Sequence, residues 1–425
     1  MGHETRRIYR LLCAAFFTFF LSWSFSFALF PIWLNQAIGL KGESTGIIFS
    51  INAITAMFIM PLYGYTQDKL GLRKGLLLLV ASMLLLVGPF FIFIYGPLLA
   101  ENLILAATIG GVFFGIVFGA GVGALETYVE RVSRIAGFEF GKARMWGSLG
   151  GAASSFFAGH LFNISPNINF WLASGCGIVF LLLVSLVHPA DPPHQQEAFK
   201  TKAHKLHLID VARLFASGRF WALATFVMGV SCIYSVYDQQ FSIYYSSLFT
   251  SRDVGNRMFG YLHSLQVFLE AGGMFLAPLL VNRIGAKQGL VLSGVIMSFR
   301  MIGSGFSDGP IEISAMKLLH SIELPIMLIS MFKYISATFD ARLSATLYLV
   351  GFQFMSQVTA STLSLIAGRM YDDYGFSTSY KILGSVVAVF VVISYFILSD
   401  DRKNIAASGA RKADMDHGGS LHNPA

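Results

Sequence analysis

The run Ile311-Glu-Ile-Ser-Ala-Met-Lys-Leu-Leu-His-Ser-Ile-Glu-Leu-Pro-Ile-Met-Leu-Ile-Ser-Met-Phe332 is long and apolar enough to cross a bilayer as a helix. It nevertheless carries Lys317, His320 and Glu323 at three-residue spacing. On a helix that spacing confines the three side chains to an arc of about 120°, so one flank holds a cation, an imidazole and a carboxylate. Each ionisable group at such depth costs roughly 2.5 to 3.5 kcal/mol on insertion scales, so these groups face a protein interior or a watery cavity and serve a function.

Composition extends the membrane reading from this run to the whole chain. Of 425 residues 55% are hydrophobic, 12% are charged and 40 are Phe, and mean hydropathy is +0.64; soluble domains carry about 25% charged residues. Twelve apolar segments account for nearly all of the chain, near 11–34, 46–65, 75–98, 103–128, 144–163, 168–188, 220–246, 260–281, 289–306, 311–332, 343–368 and 380–398. The expected class is an all-α integral membrane protein. The first segment lacks a small-residue cleavage site and runs into Pro31-Ile-Trp-Leu34, so it is expected to remain as helix one. Cys13, Cys176 and Cys232 lie in separate apolar segments without metal-ligand spacing and are expected to pack in the core.

Positive charge sets the expected orientation. Most of the 30 Lys and Arg fall in the N-terminus, the alternate loops on its side and the C-terminal tail, whereas Lys41, Arg252, Arg257, Arg369 and Lys381 fall on the other side. Both termini are therefore expected in the cytoplasm, with a bacterial inner membrane as the location. No basic patch with interleaved aromatics stands outside the loops, which argues against a nucleic-acid partner.

A polar stretch beginning Pro189-Ala-Asp-Pro-Pro-His-Gln-Gln-Glu197 divides the chain into expected units: a six-helix half over 1–188, a cytoplasmic linker over 189–217, a second six-helix half over 218–400 and a tail over 401–425. Asp68-Lys-Leu-Gly-Leu-Arg-Lys74 is echoed about half the chain later by Asn282-Arg-Ile-Gly-Ala-Lys287, as related halves would require. Gly64, Asp68, Gly71, Arg73 and Lys74 form a pattern that resembles the loop signature of the major facilitator superfamily. There Gly71 would make a tight turn, with Asp68 and the basic residues pairing across helix ends to hold one access state. Two parallel halves around a midplane cavity are what the resemblance implies.

Gly46-Ile-Ile-Phe, Asp68-Lys-Leu-Gly-Leu-Arg-Lys74, Phe138-Glu-Phe-Gly-Lys-Ala-Arg144, Tyr237-Asp-Gln-Gln240, Val281-Asn-Arg-Ile-Gly285 and Phe332-Lys-Tyr334 occur in the order found in one branch of that superfamily. On them the chain resembles the oligosaccharide:proton symporters typified by lactose permease. The resemblance implies sugar binding by Glu126 and Arg144, proton translocation by Arg300, His320 and Glu323, and a structural charge pair between Asp238 and Lys317.

The residues themselves fit these roles to different degrees. Glu126 and Arg144 flank a helical hairpin and offer directional hydrogen bonds to sugar hydroxyls, though alone they read equally as interfacial charges beside Glu130, Arg131 and Arg134. Apolar surroundings favour the protonated form of a carboxyl, which makes Glu323 the candidate proton carrier and Arg300 the cation that favours its ionised form. A permanent Arg300–Glu323 ion pair is the plainer alternative. His320 is a candidate to bind sugar, relay a proton or bridge to Glu270. Tyr234, one turn before Asp238, joins the network or simply packs.

Substrate is read from departures. Where galactoside transporters of the family carry a helix-eight glutamate, this chain has Val267 and displaces the carboxylate one turn to Glu270. Their helix-five tryptophan is Gly151 here, and a second charge pair is replaced by Ser235 and Ser356. These positions, with Ser22-Trp23-Ser24 and Ile164-Ser-Pro-Asn-Ile-Asn-Phe-Trp171, are similar to those of the sucrose-transporting members. Sucrose is therefore the expected substrate, ahead of galactosides (lactose, melibiose, raffinose) or maltose, with Trp23 either replacing the lost platform or packing against lipid or core. The expected activity is proton-coupled symport by a monomer through alternating access, with a co-transported proton and no cofactor or metal. An uncoupled facilitator would share the fold. A membrane sugar sensor would need a signalling domain, and an embedded enzyme a nucleophile–base or metal cluster; neither is apparent.

Overall fold

The computed structural model describes residues 3–70, 74–187, 215–339 and 347–400, and no strand forms among them. Rods match the twelve apolar segments: α1 (Glu4–Ala37), α2 (Gly42–Leu70), α3 (Gly75–Leu85 continued through a 49° bend by Val87–Glu101), α4 (Leu103–Ala136), α5 (Phe140–Ile164) and α6 (Ile168–Leu186). They continue with α7 (Gly218–Ser247), α8 (Arg252–Ile284), α9 (Ala286–Phe306), α10 (Pro310–Thr338), α11 (348–374) and α12 (376–397). The last two form one helical run interrupted at Gly375, whose φ of +74° is a left-handed conformation that glycine adopts without a Cβ penalty.

Among the described residues nine helical runs are long and apolar enough to cross a bilayer, and bent α3 supplies a tenth. The other two crossings come from α5, whose Lys142, Arg144, glycines and serines dilute its apolar character, and from the break that divides the last run. The rods also outlast the apolar segments: α4 continues past residue 128 to Ala136, and α8 begins at Arg252 rather than 260. Apolarity measures the hydrocarbon layer, whereas a helix continues until something stops it. Gly137 does so for α4, with φ +72° and its N–H bonded to the Ser133 carbonyl.

Large apolar side chains such as Phe58, Leu62, Phe275, Leu276 and Phe396 point outward and suit acyl chains. Inward faces are lined by small residues, which let backbones approach closely where no water drives association. α1 packs on α5 and α6, α3 on α6, and α9 on α10 and α12. Two further contacts join the first six rods to the last six. In one, α2 lies antiparallel to α11, and a Cβ at Gly46 would meet the Ser364 carbonyl at 2.4 Å. In the other, α5 lies antiparallel to α8, and a Cβ at Gly159 would meet the Asn256 carbonyl at 2.2 Å.

Both contacts are sealed at the end carrying the α1–α2, α5–α6, α7–α8 and α11–α12 turns. The Gly42 and Glu43 N–H groups donate to the Asp372 carboxylate at 2.9 and 2.8 Å, and Arg369 donates to Glu43 at 2.6 Å. Buried Asn256 is the hub of the second seal: its Nδ2 donates to Gln36 Oε1 and Asn163 Oδ1, both at 3.0 Å, and its Oδ1 accepts from Ser246 at 2.6 Å. One amide thus ties α8 to α1, α5 and α7.

Candidate functional site

Deep in the last six rods, α7, α9 and α10 converge on a charged cluster. Arg300 Nε lies 3.0 Å from Glu323 Oε2, and Arg300 Nη1 lies 3.6 Å from Asp238 Oδ1. Lys317 Nζ donates to the same Asp238 oxygen at 2.7 Å. Arg300 is 0% exposed and Glu323 1%, so water does little to screen this cluster. The guanidinium also lies over the Tyr237 ring at 4.8 Å, and Lys317 over the Phe241 ring at the same distance. The Arg300–Glu323 contact is close but poorly aligned, and neither group makes a hydrogen bond among the described residues. This pair therefore has strong charge attraction and unused directional bonding.

Sequence explains the local placement. Lys317 and His320 straddle Leu319, where α10 breaks between Pro310–Leu318 and His320–Thr338. Pro325 cannot donate to the Ser321 carbonyl, and α8 packs into that notch through Gly273, whose Cβ direction meets Ser321 O at 2.4 Å. His320 stacks on Tyr234 with ring centres 4.9 Å apart. Its nitrogens lie 4.0 Å from Asp238 and 4.0 Å from Glu323, so it sits between these carboxylates rather than bonding to Glu270. Tyr234, Asp238, Arg300, Lys317, His320 and Glu323 are thus brought together. Asp238 has a wider set of partners than Lys317 alone.

A second group lies in the first six rods. Arg144 Nε donates to Glu126 Oε1 at 2.6 Å, across the α4–α5 hairpin. Their side chains are 31% and 35% exposed, unlike the sealed pair on α9 and α10. The guanidinium stacks on Phe20 at 4.3 Å, and Phe20 touches Trp23, which also packs on Phe27. Trp23 is one ring removed from Arg144 rather than against it. Glu270, half-buried on α8, has the His320 imidazole and the Arg144 and Lys317 cations among its electrostatic neighbours, so it feels both groups.

Several expected positions fall elsewhere. Gly71 and Arg73 lie outside the described residues, as do the tail over 401–425 and all but the last three linker positions. The side chains at Gly64 and Asp68 are not described. Lys74 donates to the Val184 and Ser185 carbonyls at 3.1 Å each, clamping the start of α3 to the end of α6. Ser235 is exposed, and the Ser356 carbonyl accepts from the Cys232 thiol. The structure adds residues that sequence reasoning passed over. Asn256, His263 and Gln266 recur with Phe259 and the already expected Glu270 at alternating three- and four-residue steps, and that largely polar stripe in an apolar helix was the available signal.

Comparison with known proteins bears on the whole chain. A family model described as LacY proton/sugar symporter matches residues 2–410. The chain is 41% identical to raffinose permease of Escherichia coli, over 95% of each sequence. It is 42% identical to melibiose permease of Enterobacter cloacae, over 93% of each, and 41% identical to sucrose permease of Escherichia coli, over 93% of this chain and 95% of the relative. Among solved structures the nucleoside transporter NupG aligns with a TM-score of 0.77 at 16% identity, covering 93% of this chain and 99% of that one, which shows a shared major facilitator fold. The relatives are permeases, and this protein is a transporter rather than an enzyme. With that match extending over nearly every residue, the chain belongs to the LacY family of proton/sugar symporters.

Proposed function

We propose that this proton-coupled sugar symporter carries sucrose into the cell together with a co-transported proton. The observation behind the coupling is the position of Arg300 between two carboxylates, Glu323 at 3.0 Å and Asp238 at 3.6 Å. When Glu323 takes a proton, Arg300 loses one counter-ion and keeps the other, so no buried cation is orphaned. Lys317 holds Asp238 in place for this exchange. His320 and Tyr234 connect the proton site to Glu270 and, through it, to the sugar-binding pair Glu126 and Arg144.

In this reading residues 1–188 and 218–400 are two halves that rock about a central site, joined by the linker at 189–217. A single chain suffices, embedded in a bacterial inner membrane with both termini in the cytoplasm. The sealed end then faces outward, and the conformation described is the one that releases sugar inward. Gly151, Val267, Ser235 and Ser356 favour sucrose over galactosides, as the similarity of these positions to sucrose-transporting members suggests. Uptake into cells or vesicles should alkalinise the medium when sugar is added. A competition panel of sucrose, maltose, melibiose, raffinose and lactose against labelled-sugar uptake identifies the substrate. Competition by galactosides without competition by sucrose would reject this assignment, and uptake without proton movement would reject coupling.

A further inference from the structure

The outward flank of α12 carries a stripe that the transport cycle does not use. Thr378, Lys381, Ile382, Ser385, Val386 and Val389 recur at alternating three- and one-residue steps, which places them along one side of a helix. They line a groove of about 580 Å³, and its lower part is open to lipid, with Ile382, Val386 and Val389 exposed by 42%, 38% and 56%. Lys381 stands nearer the sealed end and is held in place. A Cβ at Gly305 of α9 would lie 2.6 Å from Lys381 Cγ, so only glycine there lets the lysine stem pack so closely on α9. Ser377 pins the same contact by donating to the Gly305 carbonyl at 2.6 Å. The stem directs the ammonium toward the last residue of α9, 4.2 Å from the centre of the Phe306 ring. Among the described residues it makes no ion pair with a carboxylate.

We propose that this groove binds an anionic phospholipid of the leaflet on the sealed side, with its phosphate on Lys381 and Thr378 and an acyl chain along Ile382, Val386 and Val389. Length supports the seating of the chain. From Lys381 to Val389 the helix rises about 12 Å, close to the roughly 15 Å of hydrocarbon in one leaflet. Level supports the headgroup, because Lys381 lies only about 7.5 Å inside the start of α12 and its stem reaches back toward the interface, as lysines near the ends of membrane helices do. Charge selects the lipid. An ammonium without a carboxylate partner is matched by a phosphate that carries the headgroup's net charge, whereas a zwitterionic headgroup brings its own cation to that phosphate. The Thr378 hydroxyl, one turn nearer the headgroups, supplies a second donor. A lipid seated there spans the contact between α12 and α9 and stabilises it by mass action.

The test places an indole at the foot of the groove with Val389→Trp and reads quenching of its fluorescence by lipids brominated on their acyl chains, after subtracting the signal of the chain without that substitution. The full chain is reconstituted in phosphatidylcholine vesicles holding a small fraction of brominated lipid. Brominated phosphatidylglycerol should occupy the groove with an affinity about fivefold above that of brominated phosphatidylethanolamine or phosphatidylcholine. Adding Lys381→Leu should abolish that preference, and Lys381→Arg should keep it. Labelled-sugar exchange should persist in each variant and shows that it has folded; if Lys381→Leu fails to fold, the three-lipid comparison and Lys381→Arg still decide. Equal quenching by the three lipids, or a preference that survives Lys381→Leu, overturns the site. Protection of the indole from every brominated lipid also overturns it, since a second copy of the chain would then cover the groove.

Discussion

The Glu126–Arg144 pair and the Arg300–Glu323 pair each join a carboxylate to a guanidinium, yet their settings are opposite. The first is aligned, hydrogen-bonded and about one-third exposed. The second is sealed from water, poorly aligned and shared with a further carboxylate and a lysine. On the proposed assignment, exposure lets the first pair open to sugar hydroxyls at little cost, because water solvates each partner while they part. Burial makes the second respond to a single proton, since each change of charge there has to be answered by a nearby group. Similar chemistry in two dielectric settings thus fits the two tasks proposed for these pairs, recognition and coupling.

Arg300→Ala tests this contrast most severely. It leaves Asp238 and Glu323 with Lys317 as their nearest remaining cation, and loss of a buried partner costs about 3 to 5 kcal/mol; transport should cease and thermal stability in detergent should fall. Unchanged stability would mean that this cluster is far better hydrated than its burial indicates. Glu323→Gln keeps the shape while removing the titration, so gradient-driven accumulation should vanish and sugar exchange should persist. Equal loss of both would reject Glu323 as the proton carrier. Arg144→Lys keeps the charge but loses the planar fork, and sugar affinity should drop about ten- to a hundredfold with melting little changed. Trp23→Ala should have the smallest effect, about threefold in affinity. A loss matching that of Arg144→Lys would make Trp23 a direct platform for the sugar.

Much of this organisation was legible in the residues. Most of the crossings follow from apolar length, and Lys317, His320 and Glu323 announced a buried polar site because nothing else justifies charge at that depth. What sequence hid was connectivity. Asp238 reads as the partner of Lys317, but its contact with Arg300 depends on where α9 meets α7, which no spacing within α7 reveals. His263 and Gln266 were overlooked since each alone resembles a tolerated polar residue in a long helix. The π-helical turns Trp33–Ala37, Phe90–Tyr95 and Val227–Ser231 were equally hidden, for they depend on a shift in hydrogen-bond register rather than on any residue preference.

The unequal number of charges has an electrical consequence. Glu126, Asp238, Glu270 and Glu323 number one more than Arg144, Arg300 and Lys317, so counted with every carboxylate ionised and His320 neutral these groups carry one excess negative charge. On the proposed assignment, a proton on Glu323 cancels it. The loaded carrier then crosses the membrane field as a neutral body, and the empty carrier returns as an anion that an inside-negative voltage drives outward, by about 2.3 kcal/mol per charge for each 100 mV. Voltage in this scheme acts on resetting the transporter rather than on delivering the sugar.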